Sequence, residues 1–152
     1  MPRLLRLKNM TGVFILVGAL VLAVVSALVL KFKNGRFAAK PAGPAVEVLT
    51  AADIGAPLGE RATLVQFSSA FCSPCRATRT LLTDVVRTAE GVVTVEIDAE
   101  SHLDLVRAMN IMRTPTVLVL DSAGAVTTRA SGLPRRVQVL AALHHSIENG
   151  TR

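Results

Sequence analysis

The chain has 152 residues, of which 51% are hydrophobic and 3% aromatic, so it has ample apolar surface for a folded core and is neither disordered nor collagen-like. Its formal net charge of +6 is unevenly distributed: residues 1–45 hold seven basic residues and no acid, whereas residues 46–152 hold ten Arg, no Lys and eleven acids. The net positive charge of the chain therefore comes from the N-terminal segment. The remainder is nearly neutral and has no run of aromatic residues, so it is a poor nucleic-acid binder, and we set that class of function aside.

The N-terminal segment contains 21 consecutive uncharged residues, from Met10 to Leu30. A helix rising 1.5 Å per residue over this length spans the roughly 30 Å hydrocarbon core of a bilayer. We therefore predict a transmembrane helix over about residues 10–30, a membrane anchor over residues 1–33 and a single-pass protein of the cell membrane. A cleaved signal peptide is the alternative, but its apolar region normally has roughly 7 to 15 residues, and here Lys31 and Lys33 follow the run directly.

Basic residues flank both ends of the predicted span. Three precede it and four follow it, so the positive-inside rule gives nearly equal weight to an extracytoplasmic and a cytoplasmic C-terminal domain. Translation from Met10 would remove the first three and favour the cytoplasmic side. Residues 34–45 contain two Gly and two Pro and are predicted to be a linker. A linker of this length reaches at most ~35 Å, so the domain that follows it is expected to work close to the bilayer.

Strand and helix patterns alternate over residues 46–152, which we predict to form one α/β domain. The alternation predicts parallel strand pairs joined by crossover helices, and a closing hairpin makes the sheet mixed. Thr50 with Asp53 predicts a cap for the first of these helices, and Ser101 with Asp104 predicts another further along. The predicted strands are 46–49, 62–68, 92–98, 117–120 and 126–130, and helices are predicted from Ala51, around 81–86, around 105–109 and after Pro134.

The only two cysteines, Cys72 and Cys75, stand where a predicted buried strand gives way to a helix. A helix N-terminus offers unpaired N–H groups and a partial positive charge, which stabilise a thiolate at the first cysteine and lower its pKa. The second thiol lies within one turn of the first, and Pro74 is tolerated there because its missing N–H would be unpaired anyway. These features favour a redox-active dithiol.

Three other interpretations of the cysteine pair are weaker. A structural disulfide is disfavoured because stabilisation grows with loop length and this loop is very short. A zinc site needs about four ligands, and the chain has no second cysteine pair, while His102, His144 and His145 lack a second-pair spacing. Two inert core cysteines have no reason to fall at this spacing. We therefore expect no metal at this site.

The sequence resembles the thioredoxin family over nearly all of residues 46–152. Residues 63–67 followed by 70–76 resemble that family's central strand and active-site turn, and residues 95–98 resemble its next strand. Residues 113–116, Arg-Thr-Pro-Thr, resemble the loop in which the family keeps a cis-proline facing the CxxC motif. Gly124 and Gly132 fall where the family commonly has glycines.

The resemblance implies a thioredoxin-like mixed sheet flanked by helices, and it implies roles for single residues. Cys72 would be the attacking thiol and Cys75 the resolving thiol. Pro115 would be cis, and the backbone of Thr114 would pair with an extended substrate segment by strand addition. Phe71 stands where the family usually has Trp, and we expect it to be an apolar lid without an indole N–H.

Other positions depart from the family pattern or are expected to tune the site. Gln66 replaces the family's buried carboxylate, which is thought to accept the proton of the resolving thiol, and Ser68 replaces an aromatic residue. The short path from Thr88 to Val92 leaves no room for the insertion of membrane-anchored relatives that reduce apocytochromes. Arg76 and Arg113 are expected to modulate the first thiol.

These inferences predict a membrane-anchored thiol–disulfide oxidoreductase that acts on protein substrates with a disulfide or a dithiol. It would also exchange electrons with a redox partner, and a membrane protein is one candidate for that partner. It would need no cofactor beyond the Cys72–Cys75 disulfide and would bind no nucleic acid. Reduction and oxidation are both compatible with the motif. A thioredoxin-fold adaptor with little turnover is the alternative, and a metal chaperone is a third interpretation.

Overall fold

The computed structural model describes residues 3–33, 37–39 and 48–150, with side chains described for 13–30, 48–148 and Gly150. It divides into two compact units, residues 1–33 and 34–152, which are described separately.

The first unit is one long helix, α1, Arg3–Lys33. Within it, Val13–Leu30 has a mean hydropathy of 3.1 and none of its residues is buried. The helix predicted over residues 10–30 is therefore present and extends further in both directions. It is long and apolar enough to cross a membrane, and an N-terminal signal sequence would have the same character.

The second unit is a mixed sheet flanked by helices, as the sequence predicts. Within the part of this unit that is described, five strands follow the order β1-β5-β4-β2-β3. β2 and β3 run parallel, and the other neighbouring pairs are antiparallel. The strands are β1 Phe37–Ala39, β2 Ala62–Ser68, β3 Val92–Asp98, β4 Thr116–Asp121 and β5 Val126–Ser131, and the helices are α2 Ala51–Ile54, α3 Ser73–Val86, α4 Leu103–Ala108 and α5 Arg136–Gly150.

The two faces of the sheet bury separate hydrophobic clusters. On one face, Val65 and Phe67 of β2 pack with residues of the α2 and α4 regions, including Ile54 and Met109. On the other face, residues of β2 and β4 pack with Leu82 of α3 and with α5. All seven residues of β2 are buried because this strand has a neighbour on each side and helices on both faces. Its C-terminal end leads into the cysteine motif.

The N-terminal edge of the sheet differs from the sequence prediction. Residues 37–39, which fall inside the predicted linker, form β1 and pair antiparallel with β5. Three residues are too few to carry a periodic pattern, and their pairing depends on the backbone of β5. Of the strand predicted at 46–49, residues 46 and 47 lie outside the described residues, and Val48 forms an isolated bridge with Ala125.

The two predicted helix caps have different outcomes. Thr50 caps α2, and the reciprocal bonds of a capping box with Asp53 are both present. The predicted cap of α4 is wrong: its N-cap is His102, which makes no side-chain cap bond. The hydroxyl of Ser101 donates instead to the carboxylate of Asp98 at 2.6 Å, and a hydrogen bond to an ionised acceptor is stronger than one between neutral groups.

Candidate functional site

The two cysteines lie at the N-terminus of α3, directly after β2 and a short turn. Cys72 is the N-cap residue and Pro74 lies in the first turn of the helix, where a missing N–H breaks no hydrogen bond. Cys72 and Cys75 form a disulfide with their Cα atoms 5.2 Å apart. The backbone N–H of Cys75 donates to the Sγ atom of Cys72 at 3.2 Å.

The two sulfur-bearing residues differ in accessibility and in polar environment. Cys75 is 2% exposed, whereas Cys72 is only half-buried. The N–H group directed at the Sγ of Cys72 would stabilise a negative charge there in the reduced protein. Attack by Cys72 and resolution by Cys75, which the resemblance implies, stays a prediction that this asymmetry favours.

The loop before β4 lies against the cysteine turn. The Thr114–Pro115 peptide bond is cis, the isomer that the resemblance implies, and Pro115 is buried. The hydroxyl oxygens of Thr114 and Ser69 lie 3.1 Å apart, which joins this loop to the turn that leads into Cys72. The fold thus brings together two sequence motifs separated by about forty residues, 71–76 and 113–116.

A third segment, which the sequence analysis did not connect with the site, completes this end of the domain. The backbone N–H of Gly132, just after β5, donates to the carbonyl oxygen of Pro115 at 2.7 Å. Gly132 has a φ of 91°, a conformation that a residue with a side chain rarely adopts. The turn after β5 is therefore held beside the cis-proline loop.

Gln66 lies beneath the site on β2 and is 1% exposed. Its Nε2 atom donates to the backbone carbonyl oxygen of Cys75 at 2.9 Å. The side chain thereby joins Cys75, in the first turn of α3, to the central strand. An amide does not titrate near neutral pH, so this group binds the cysteine backbone without exchanging a proton.

Three of the four remaining predicted site residues are exposed. Phe71 is 99% exposed, so its ring projects into solvent and covers almost none of the protein, and the expected lid over the dithiol is not formed. Arg76 and Arg113 are also exposed, where solvent screens their influence on the thiol. Thr114 is half-buried, and the pairing of its backbone with substrate stays a prediction.

An ion pair beside the site escaped the sequence analysis. The Nη2 atom of Arg79 on α3 donates to Oε1 of Glu96 on β3 at 2.6 Å. Glu96 is the register partner of Gln66 across the parallel strands. Burial raises the pKa of the Glu96 carboxyl, but hydrogen bonds from Arg79 and Ser68 and the charge of Arg79 outweigh burial and leave this pKa below its ordinary value.

Two exposed apolar side chains near the site were also missed. Met112 precedes the cis-proline loop and is 84% exposed, and Leu133 follows Gly132 and is 45% exposed. The sequence feature that could have pointed to them is an apolar residue within a loop, next to the cis-proline motif or to Gly132. Within the described residues, no group of three or more His, Cys, Asp or Glu side chains is arranged to hold a metal ion.

Comparison with known proteins supplies a family and a fold. The thioredoxin family profile matches residues 46–144. Human thioredoxin domain-containing protein 2 is 32% identical over 84 residues, which is 55% of this chain but 15% of that protein. The chain thus matches only a small part of that relative.

Solved thioredoxin structures superpose on the same region. Malaria-parasite thioredoxin-2, described as a component of protein secretion machinery, has a TM-score of 0.52 at 14% identity, with 56% of this chain and 82% of that chain covered. Fasciola hepatica thioredoxin has a TM-score of 0.51 at 17% identity, with 58% and 83% covered. At such identities the likeness shows the fold, a mixed sheet flanked by helices.

Proposed function

This chain belongs to the thioredoxin family, and we propose that it is a membrane-anchored thiol–disulfide oxidoreductase that exchanges disulfides with protein substrates. One observation carries the proposal. Cys72 is a partly accessible helix N-cap residue whose sulfur accepts the N–H of Cys75, while Cys75 itself is buried behind it. A stabilised, accessible thiolate is the form that attacks a disulfide.

The proposed reduction proceeds in two exchanges. The thiolate of Cys72 attacks one sulfur of the substrate disulfide; a bond forms between Cys72 and that sulfur, the substrate S–S bond breaks, and the other substrate sulfur leaves as a thiolate that takes a proton from water. Cys75 then loses its proton to solvent and attacks the Sγ of Cys72. The mixed disulfide breaks, the second substrate thiolate leaves, and the substrate has gained the two electrons that the enzyme dithiol has lost.

The residues around the pair have distinct parts in this proposal. Gln66 holds the backbone of Cys75, so that the second thiol stays beneath the first. The cis-proline loop, joined to the cysteine turn through Thr114 and Ser69, would receive the extended substrate segment by strand addition. The reverse reaction oxidises a substrate dithiol, and a separate redox partner returns the pair to its starting state. No cofactor is required beyond the disulfide.

Membrane anchoring is the second part of the proposal. Its support is α1, whose segment Val13–Leu30 has the length and hydropathy of a membrane span, followed directly by Lys31 and Lys33. Charged residues at the end of an apolar helix are typical of a retained anchor. An anchored domain would meet substrates and a redox partner close to the bilayer.

Reduction of insulin disulfides tests the proposed activity. The full chain in neutral detergent, with dithiothreitol as electron donor, should reduce insulin faster than dithiothreitol alone, and Cys72→Ser should remove this acceleration. Ser73→Ala is a matched control, because Ser73 is an exposed residue of the same turn with no part in the proposed reaction. Acceleration that survives in Cys72→Ser, or a wild-type chain that gives none, would contradict the proposal, and the latter result would favour an adaptor.

A further inference from the structure

In the three segments around the disulfide, all charged side chains are positive. We call these segments, residues 69–76, 112–116 and 131–137, the site rim. Together they contain four arginines and no acidic residue, and they are joined by the Ser69–Thr114 and Gly132–Pro115 hydrogen bonds. The arginines of the site rim are Arg76, Arg113, Arg135 and Arg136.

Three of the rim arginines differ from most exposed arginines elsewhere in the domain. Arg76, Arg135 and Arg136 are exposed, and within the part of the chain that the structure describes none of these three forms a salt bridge. Away from the rim, three exposed arginines pair with acids, Arg79 with Glu96, Arg87 with Asp84 and Arg107 with Asp104, whereas the exposed Arg61 forms no salt bridge with a described residue. Arg76, Arg135 and Arg136 therefore present cationic charge that no described acidic residue neutralises.

Acidic residues lie at the same end of the sheet, on the side of β3. Asp98 ends β3 and is the register partner of Ser68, the last residue of β2, and Glu100 follows in the next turn, both exposed. The Asp98 carboxylate is held by hydrogen bonds from Ser101 and from the backbone of Glu100. This end of the domain is therefore basic towards β4, β5 and α5 and acidic towards β3.

The site rim also offers apolar contacts. Phe71, Met112 and Leu133, one from each segment of the rim, are exposed apolar side chains. Aromatic and methionine side chains combined with arginine are typical of surfaces that bind proteins. A bilayer pressed against the rim would instead cover Cys72, which must stay open to react.

We infer that the site rim selects protein substrates in which an acidic segment with an apolar side chain flanks the reactive disulfide. This inference rests on the proposed function and specifies its substrate class. Carboxylates would be attracted to Arg135, Arg136 and their neighbours, which raises the encounter rate and orients the chain, while Phe71 and Met112 cover an apolar residue beside the cystine.

Two synthetic disulfide peptides test the inference. They carry the same cystine and the same neighbouring Leu, and differ in having Glu or Lys at the flanking positions. The full, reduced chain in neutral-lipid nanodiscs should react with the Glu peptide about tenfold faster at low ionic strength, and the preference should shrink as salt screens the charges. The double variant Arg135→Glu with Arg136→Glu should remove or invert it.

The matched control changes the same charge elsewhere. Arg61, just before β2, and Arg87, at the C-terminus of α3, lie at the opposite ends of the elements that lead to the site. The double variant Arg61→Glu with Arg87→Glu should keep the preference for the Glu peptide. A control variant that loses the preference as fully as the rim variant would show that only net charge matters and would overturn the inference.

The remaining outcomes separate this inference from the proposed function. A neutral disulfide peptide reports the basal exchange: no reaction with it would contradict the oxidoreductase proposal, while normal reaction with equal Glu and Lys rates would overturn the substrate preference alone. Binding of the Glu peptide to the Cys72→Ser, Cys75→Ser chain checks the surface without any chemistry, and salt-sensitive binding is expected.

Nanodiscs with anionic lipid test whether the rim binds the bilayer instead. The inference is wrong if these discs slow the reaction of all peptides with the wild type but not with the rim variant, and if the Glu peptide has no advantage in neutral discs.

Discussion

The side-chain amide of Gln66 on β2 donates a 2.9 Å hydrogen bond to the backbone carbonyl oxygen of Cys75 on α3. A fully buried, uncharged group thereby fixes the second cysteine on the central strand and avoids the large free-energy cost of burying an unpaired charge. The same group cannot take up the proton that Cys75 must lose before it attacks. The resolving step therefore depends on solvent or on the thiol's own ionisation.

Replacing Gln66 by Asp should accelerate the resolving step near neutral pH and destabilise the fold. An ionised carboxylate accepts a proton, whereas the amide does not, so release from a Cys72 mixed disulfide should become faster and less dependent on pH. In the wild type this rate should rise as the pH approaches the pKa of the Cys75 thiol. Burial of the carboxylate should lower the free energy of unfolding by about 2 kcal/mol.

Gln66→Asn is the control for that substitution, because Asn has the size of Asp but does not titrate. It should lose part of the contact to Cys75 without gaining the faster release. Stopped-flow measurement of mixed-disulfide release across the neutral and mildly alkaline range compares the three proteins. Identical rates and pH profiles for wild type and Gln66→Asp would show that Gln66 only fills the core.

The pKa of the Cys72 thiol should lie below the ~8.5 of a free cysteine. The residue is the N-cap of α3 and its sulfur accepts the Cys75 N–H, an arrangement that favours the thiolate. The measurement is the ultraviolet absorbance of the thiolate in a Cys75→Ser chain, titrated once folded and once in denaturant. A folded-state pKa equal to or above the denatured value would count against attack by Cys72.

Neutralising Glu96 should weaken the fold in a pH-dependent way. The pKa of this carboxyl is lowered in the folded protein, through its bonds to Arg79 and Ser68 against the opposing effect of burial. The stabilisation is therefore present above the unfolded-state pKa and is lost as the pH falls through the folded-state pKa. Because the Arg79 side chain is 57% exposed, Glu96→Gln should cost only about 0.5 kcal/mol near neutral pH.

Urea unfolding at neutral and acidic pH measures this effect, and Arg79→Gln supplies the second arm of a double-mutant cycle. Each single variant should lose a similar amount, and the double variant should lose little more. The difference from wild type should vanish in acid. A loss that is equally large at low pH would mean that packing, and not the ion pair, is responsible.

Ser146→Ala should stabilise the domain by about 1 kcal/mol. Ser146 is fully buried on α5, and its hydroxyl has no hydrogen-bond partner among the described residues. Alanine removes this unsatisfied group and favours the helix. The equally buried Thr78 is a contrasting case, because its hydroxyl donates to the Pro74 carbonyl at 3.0 Å, so Thr78→Val should destabilise the protein. A lower unfolding midpoint for Ser146→Ala would contradict the prediction.

The mature protein should keep residues 10–30 and remain in the membrane fraction after a high-pH carbonate wash. The apolar segment Val13–Leu30 would be anchored by hydrophobic burial, which alkali does not disrupt. A chain that starts after Lys33 should be released by the same wash. A mature N-terminus mapped beyond Lys31 would identify α1 as a removed signal sequence.

The sequence alone determined the features that arise from local pattern. The run of uncharged residues predicted a helix that α1 contains, and apolar runs bounded by turn residues predicted β2 and β3 with the bounds that the structure has. The CxxC spacing at a strand–helix junction predicted a close cysteine pair at a helix N-terminus, and the pair is a disulfide there. Backbone periodicity and helix-end chemistry act within a few residues, so they can be read along the chain.

Only the tertiary structure decided what depends on distant segments or on solvent. The edge strand β1 exists through pairing with β5, the partner of Glu96 comes from α3, and Gly132 reaches the cis-proline loop from beyond β5. Phe71 projects from the turn, although its apolar character favoured a lid. Such contacts depend on which surfaces the sheet and helices bring together in space, and local sequence patterns carry little information about that arrangement.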